Sequence, residues 1–261
     1  MQQHGVRPTT MRRTAVGGAA MPAALIRTFV EQFDVEVRQA WGMTETSPLG
    51  TVSASPRQMQ ARTVGEQVAC SSAQGHPVFG VELALADPAD DFVPHDGKAR
   101  GELLVRGPWI AAGYLDSDAP MARTDGWFAT GDIATIDPSG CMCIVDRVKD
   151  VIKSGVAWIS SIELEDAAMA HDDIVLAAVI GVPDAKWGER PRLFVVARVG
   201  SMIDGNAMRR FLAERVPKWW LPEEIEFRDD LPIDSTGKVL KQALRDASVA
   251  AAGAAGSVAI R

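Results

Sequence analysis

Asp234-Ser-Thr-Gly-Lys-Val-Leu-Lys-Gln-Ala-Leu-Arg245 sets a lysine directly behind a glycine turn and leads into a terminal helix. Working outward, Glu223–Phe227 reads as a short strand. Asp204 is placed to cap a helix reaching Val216, with Met208, Phe211 and Leu212 turned inward. Ile174–Val182 and Arg192–Val199 are apolar runs with strand composition, and Ser160-Ser-Ile-Glu163 is a capping-box pattern that opens a helix to about Ala170. Residues 148–246 therefore predict a small α+β domain large enough to carry its own core. The tail, Ala247–Arg261, consists mostly of Ala, Gly, Ser and Val without periodicity, and is expected to be disordered.

Upstream the texture differs. From about residue 60 to 145 it is β: Val78–Leu85 alternates, Gly101-Glu-Leu-Leu-Val-Arg-Gly107 is a strand between glycines, and residues 132–145 read as a hairpin. Its turn, Asp137-Pro-Ser-Gly140, has the residues a type I turn prefers. An antiparallel, distorted barrel is the expectation. Before it, Thr14–Val16, Ala23–Gln32 and Val35–Val37 read as strand, helix and strand, the end of a parallel α/β sheet. Residues 1–147 are thus expected to be one larger α/β-plus-barrel domain, and 148–246 a second.

At 261 residues, with 47% hydrophobic and 23% charged residues, the chain suits two globular domains. A net charge of −7 argues against a nucleic-acid partner, because phosphate backbones reward basic faces. No apolar run approaches the ~20 residues of a membrane span, and the N-terminus lacks the apolar centre of a signal peptide. Three cysteines, Cys70, Cys141 and Cys143, make no disulfide framework. A soluble protein of the cytoplasmic, reducing compartment is expected. The four histidines form no cluster, and Cys141-Met-Cys143 lacks the further ligands a metal site needs.

Four short polar segments carry chemistry. Trp41-Gly-Met-Thr-Glu-Thr46 gathers a flat aromatic, a hydroxyl and a carboxylate: Thr44 can donate to a phosphate, Glu45 can hold Mg²⁺ on phosphate oxygens, and Trp41 can lie near a base. Asp132, in Thr130-Gly-Asp132, can accept from ribose hydroxyls, and Arg147 can reach the same sugar. Lys238, after flexible Gly237, is a point charge available to a phosphate and a carboxylate. Taken singly, each is equally a buried-tryptophan loop, a turn aspartate, a surface ion pair or an exposed lysine.

Their order and spacing, together with Gly17-Gly-Ala-Ala-Met-Pro22, Gly101–Tyr114 and Asp146–Ile162, resemble the adenylate-forming superfamily, in particular its fatty acyl-CoA synthetase branch. The resemblance spans about Thr14 to Asp246. It implies ATP-dependent activation of a carboxylic acid through an acyl-adenylate, then transfer to CoA, with ATP, Mg²⁺ and CoA as cofactors and a fatty acid as substrate. It implies that Gly18, Ala19 and Ala20 border the adenine and acyl pocket. Trp41, Gly42, Met43, Thr44 and Glu45 would bind ATP and the metal, and Asp132 and Arg147 the ribose. Lys149 would be the hinge about which the small domain turns, with Lys238 serving adenylation and Lys153 thioester formation.

Two departures stand out. Gly155-Val-Ala157 replaces a usual Gly-Gly-Glu, which puts a β-branched side chain where close backbone approach is expected and bears on the thioester half-reaction, while transfer to a carrier protein instead of CoA stays open. The family's Ser/Thr/Gly-rich phosphate loop is absent from residues 1–16. The expected form is therefore a synthetase-like chain lacking the N-terminal subdomain, truncated or split, partnered by a separate N-terminal half or a second copy. An inactive nucleotide-binding remnant is the alternative.

Overall fold

The computed structural model describes residues 10–18, 21–53, 63–117, 120–155, 157–234 and 238–258. Ala19, Ala20, Val156 and Gly237 lie outside them. The chain divides into two compact units after Val145, two residues before the expected boundary.

In the first unit, β1 (Arg13–Gly17) runs parallel to β2 (Glu36–Trp41), and α1 (Ala23–Phe33) links them. Ile26 of α1 is fully buried with Val37 and Val68, while Val16, Phe29 and Val30 pack around them. The helix stops at Asp34, whose φ of 53° suits the left-handed stop that short polar side chains tolerate. The sheet continues through β3 (Thr51–Val52) to β4 (His76–Pro77), both antiparallel.

Between β3 and β4 lies α2 (Val64–Ser72), where β texture was expected. Its start was legible: the Thr63 Oγ1 accepts from the Glu66 amide at 3.3 Å, and the Glu66 carboxylate accepts from the Thr63 amide at 2.8 Å. That reciprocal cap satisfies two orphan donors and overrides a weak apolar period.

The second sheet is an antiparallel meander: β5 (Glu82–Ala86), β6 (Gly101–Arg106), β7 (Phe128–Ile136) and β8 (Met142–Arg147). Alternation along β6 sorts its residues between two buried faces. Leu103 and Val105 join Leu85, Phe128, Ala134, Ile136 and Met142, while Leu104 joins Ala84, Ala86 and Trp127. Full burial of each such leucine contributes roughly 1.5–3 kcal/mol. The Arg106 guanidinium covers Trp127, 4.5 Å from the ring centre. An isolated bridge links Gly75, next to β4, to Met142 of β8, with the Met142 amide donating to the Gly75 carbonyl at 2.7 Å.

The second unit is a sheet with helices. β9 (Ile152–Ser154) and β10 (Ala157–Ile159) form a hairpin, as do β11 (Ile174–Asp184) and β12 (Gly188–Ala197), and β13 (Glu224–Phe227) joins β12 in parallel. Continuous apolar runs in β11 and β12 follow from burial on both faces. Ala177, Val179, Leu193 and Val195 pack with Leu164 of α3 (Ser161–Met169) and with Met208 and Leu212 of α4 (Gly205–Ala213). Ala178, Ile180 and Phe194 pack on the opposite side with Leu231 and with Leu244 of α5 (Lys241–Val258). The Ser160 and Asp204 side chains cap α3 and α4, accepting from Glu163 and Ala207.

The tail departs from expectation: α5 continues through residues 247–258 as helix. Alanine forms helix without needing an apolar stripe, so lack of periodicity is a poor sign of disorder in an Ala-rich segment. Among the described residues no helix is long and apolar enough to cross a membrane.

Candidate active site

In the first unit the loop from Gly42 to Gly50 leaves β2 and returns into β3, closed by the Gly50 amide donating to the Trp41 carbonyl at 2.9 Å. Thr46 is buried, and its hydroxyl lies 2.9 Å from the Met43 amide and 2.8 Å from the Pro48 carbonyl. A Cβ at Gly42 would stand 1.8 Å from the Pro48 carbonyl oxygen, so only glycine lets the two limbs close. The effect is to hold Thr44 on the exposed crest with Glu45 beside it, half-buried, in one turn of 3-10 helix.

Asp132 reaches this loop from ninety-one positions away: the Trp41 indole Nε1 donates to its Oδ2 at 2.8 Å. Trp41 and Met43 also pack on the core face of the meander. Asp132 does not end a loop, as expected, but lies inside β7. There the pairing jumps from Ile133↔Glu102 to Ala129↔Leu104, so Thr130, Gly131 and Asp132 face Leu103 alone. Such a bulge re-aims side chains, here a carboxylate with only 7% of its surface exposed. Thr130 steadies it, its hydroxyl donating to the Leu103 carbonyl at 2.9 Å and accepting from the Asp132 amide at 3.2 Å.

Sequence reasoning assigned no role to Tyr114. Its hydroxyl donates to Glu45 Oε1 at 2.7 Å, and the Glu45 carbonyl accepts from the Ala111 amide at 2.8 Å. The bond to that carboxylate favours the protonated phenol and raises the Tyr114 pKa. The available signal was its being the one tyrosine in the chain, at the end of Gly101–Tyr114. Gly18, at the exit of β1, has φ +80° and no described heavy atom within 4 Å of where a Cβ would stand.

The remaining candidates belong to the second unit. Arg147 ends β8 and is exposed. Exposed Lys149 sits in the turn that follows, where the Asp150 amide donates to the Arg147 carbonyl at 2.9 Å. Lys153 is the exposed middle residue of β9, its amide donating to the Glu189 carboxylate at 2.9 Å. Lys238 is exposed, and Asp234 donates its amide to the Lys238 carbonyl at 2.8 Å and accepts the Lys238 amide at 3.1 Å.

Asp146, beside Arg147, is 1% exposed and accepts from the Ser161 amide at 2.5 Å, the Ser161 hydroxyl at 3.1 Å and the Arg147 amide at 2.7 Å. Burial raises its pKa, opposed in part by the Lys241 charge.

These donor sets suit a magnesium nucleotide. Among the described residues nothing lies within 4 Å of where a Gly18 Cβ would stand, and one acid stands near an exposed hydroxyl. Among the described residues no group of three acids, histidines or cysteines forms an all-protein metal cage. A divalent cation held chiefly by phosphate oxygens needs no more than this from protein.

The model of the AMP-binding enzyme family matches residues 2–115, and that of the AMP-binding enzyme C-terminal domain matches residues 163–238. The chain belongs to the AMP-binding enzymes. Within this family it is 46% identical over 242 residues to the 3-methylmercaptopropionyl-CoA ligase of Ruegeria lacuscaerulensis, covering 93% of this chain and 45% of that protein. It is 42% identical over 243 residues to the medium-chain-fatty-acid–CoA ligase of Ectopseudomonas oleovorans, covering 93% and 44%. Its fold matches ATP-bound MatB of Rhodopseudomonas palustris with a TM-score of 0.77 at 30% identity, covering 89% of this chain and 44% of that one. The chain thus spans under half the length of these AMP-binding relatives.

Proposed function

We propose that the chain is the C-terminal portion of an ATP-dependent acyl-CoA ligase that activates fatty or medium-chain acids. The supporting observation is the Trp41–Asp132 hydrogen bond, which joins two separate nucleotide-binding candidates beside Thr44 and Glu45. In the first half-reaction a substrate carboxylate oxygen attacks the α-phosphorus of ATP, the bond to pyrophosphate breaks, and acyl-AMP forms. In the second, the CoA thiol attacks the acyl carbon and AMP leaves.

Both steps bring anions together, so the protein must supply donors where charge develops. Thr44 donates to a phosphate oxygen. Asp132 and Arg147 hold the ribose hydroxyls, and Trp41 fixes the Asp132 carboxylate. Gly18, with Ala19 and Ala20, borders the pocket, and Gly42 and Met43 belong to the segment that binds ATP. Lys238 places an ammonium on the α-phosphate and the attacking carboxylate. Glu45, oriented by Tyr114, would hold Mg²⁺, which when bound neutralises phosphate charge. Residues 148–246 act as a mobile domain pivoting at Lys149, so that Lys153 replaces Lys238 for the thioester step. Its setting is cytoplasmic, and the partner is an N-terminal half carrying the phosphate loop.

The test is ATP–pyrophosphate exchange with radiolabelled pyrophosphate and a panel of carboxylic acids, with and without such an N-terminal half. Exchange stimulated by medium-chain acids is expected. Its absence with every acid under both conditions would leave an inactive nucleotide-binding remnant. A second reading, loading of a carrier protein, uses the same adenylation residues, and the hinge region does not separate it from transfer to CoA. Mass spectrometry of products formed with CoA or with a phosphopantetheinyl carrier separates the two.

A further inference from the structure

Helix α5 starts three residues after Lys238, and its first turns do more than fill the core. The Lys241 ammonium lies 2.8 Å from Glu165 Oε1 and donates to the Ser161 hydroxyl at 2.6 Å, with both charged side chains only 14% exposed. Ser161 in turn binds Asp146 through its amide and its hydroxyl, and Asp146 Oδ1 accepts the amide of Arg147. One turn along α5, Arg245 Nη2 donates to the Asp150 carboxylate at 2.6 Å and to the Lys149 carbonyl at 3.0 Å. Leu244, between these two cations, is 1% exposed in the core. Positions 241, 244 and 245 share one helix face, so a single rigid element grips both sides of the Arg147–Asp150 turn.

We propose that Lys241 and Arg245 are positioning residues that lock this turn to the helix following Lys238. In this arrangement Arg147, Lys149 and the Lys238 segment are held as one body, and Lys149 acts as a pivot only once these contacts open. The assignment of Lys149 and Lys238 rests on the ligase reading; the lock itself does not. A guanidinium can serve a carbonyl and a carboxylate at once because its donors are fixed in a plane, whereas an ammonium is a compact point charge. The Lys241–Ser161–Asp146 chain ties the other limb through neutral and charged hydrogen bonds in series.

Amide hydrogen exchange on the whole chain tests this. Arg245→Ala is expected to accelerate exchange about tenfold or more at amides 150 and 151 and at 238–241, with the β11 and β12 amides within about twofold of the parent. Arg245→Lys, which keeps the charge opposite Asp150, should recover part of that protection. Lys241→Met, which also lowers the stability of the whole unit, should accelerate the amides of Arg147 and Ser161 by a larger factor than those of β11 and β12. Uniform acceleration throughout the unit would show these residues to be ordinary core supports and would overturn the proposal. So would unchanged exchange at the turn, or no rescue by lysine. Because the readout needs no turnover, this result stands apart from the outcome of the ATP–pyrophosphate assay.

Discussion

Lys238→Ala is expected to lower ATP–pyrophosphate exchange by about 10²–10³-fold, the usual consequence of removing one preorganised electrostatic donor from a charge-developing site. The lysine answers the central difficulty of the chemistry, which is the approach of a carboxylate to a phosphate. Its ammonium is exposed, and its backbone is held by Asp234 rather than by its own side chain. Truncation should therefore leave the thermal midpoint within a degree or two, because surface substitutions of this kind change stability by only about 0.5 kcal/mol. Lys238→Arg should restore little of the rate, since a planar fork is not a compact point charge. Exchange unchanged in Lys238→Ala would remove this residue from the mechanism.

Lys241→Met is expected to produce the largest loss of stability, and the loss should depend on pH. Removing one partner of a buried ion pair typically costs about 3–5 kcal/mol, because the other is left uncompensated. Burial pushes the Glu165 carboxyl up from its ordinary 4.5 to about 7, with Lys241 pulling in the opposite direction. The folded state therefore binds more protons than the unfolded state between those two values. Stability must fall as pH rises through that window, by at most about 1.4 kcal/mol per unit.

Without Lys241 the carboxyl rises further and the decline extends to higher pH. Urea denaturation at pH 5 and pH 8 should thus show a modest deficit for Lys241→Met at the lower pH and about 3 kcal/mol at the higher. Glu165→Gln should flatten the profile. Equal deficits at both values would mean that the carboxyl does not titrate as this burial requires.

How much of this was legible depended on whether the signal was local. The strands β11 and β12 could be read because an apolar run of strand composition is a property of consecutive residues, and the caps at Ser160 and Asp204 because they act within one turn. The same kind of signal, Thr63 with Glu66, marked α2 and was outweighed by the β character around it. The helix through residues 247–258 shows propensity acting where pattern is silent.

The site is a different case. Thr44, Glu45, Asp132 and Lys238 were named from residue type and order. Nothing local says that the Trp41 indole is spent on Asp132, or that a bulge opposite Leu103 directs that carboxylate. Those facts depend on strand register. The Tyr114–Glu45 bond and the Arg245 contact with Lys149 likewise join residues sixty-nine and ninety-six positions apart.

The loop after β2 has a consequence for how this gene can drift. At position 42 any side chain collides with the Pro48 carbonyl, and at 46 the hydroxyl is enclosed, so both are policed by folding itself. Position 44 faces outward and is policed only where turnover matters. In a saturation library sorted by a folding reporter, codons 42 and 46 should stay narrow while codon 44 spreads. A growth selection that demands product should narrow all three.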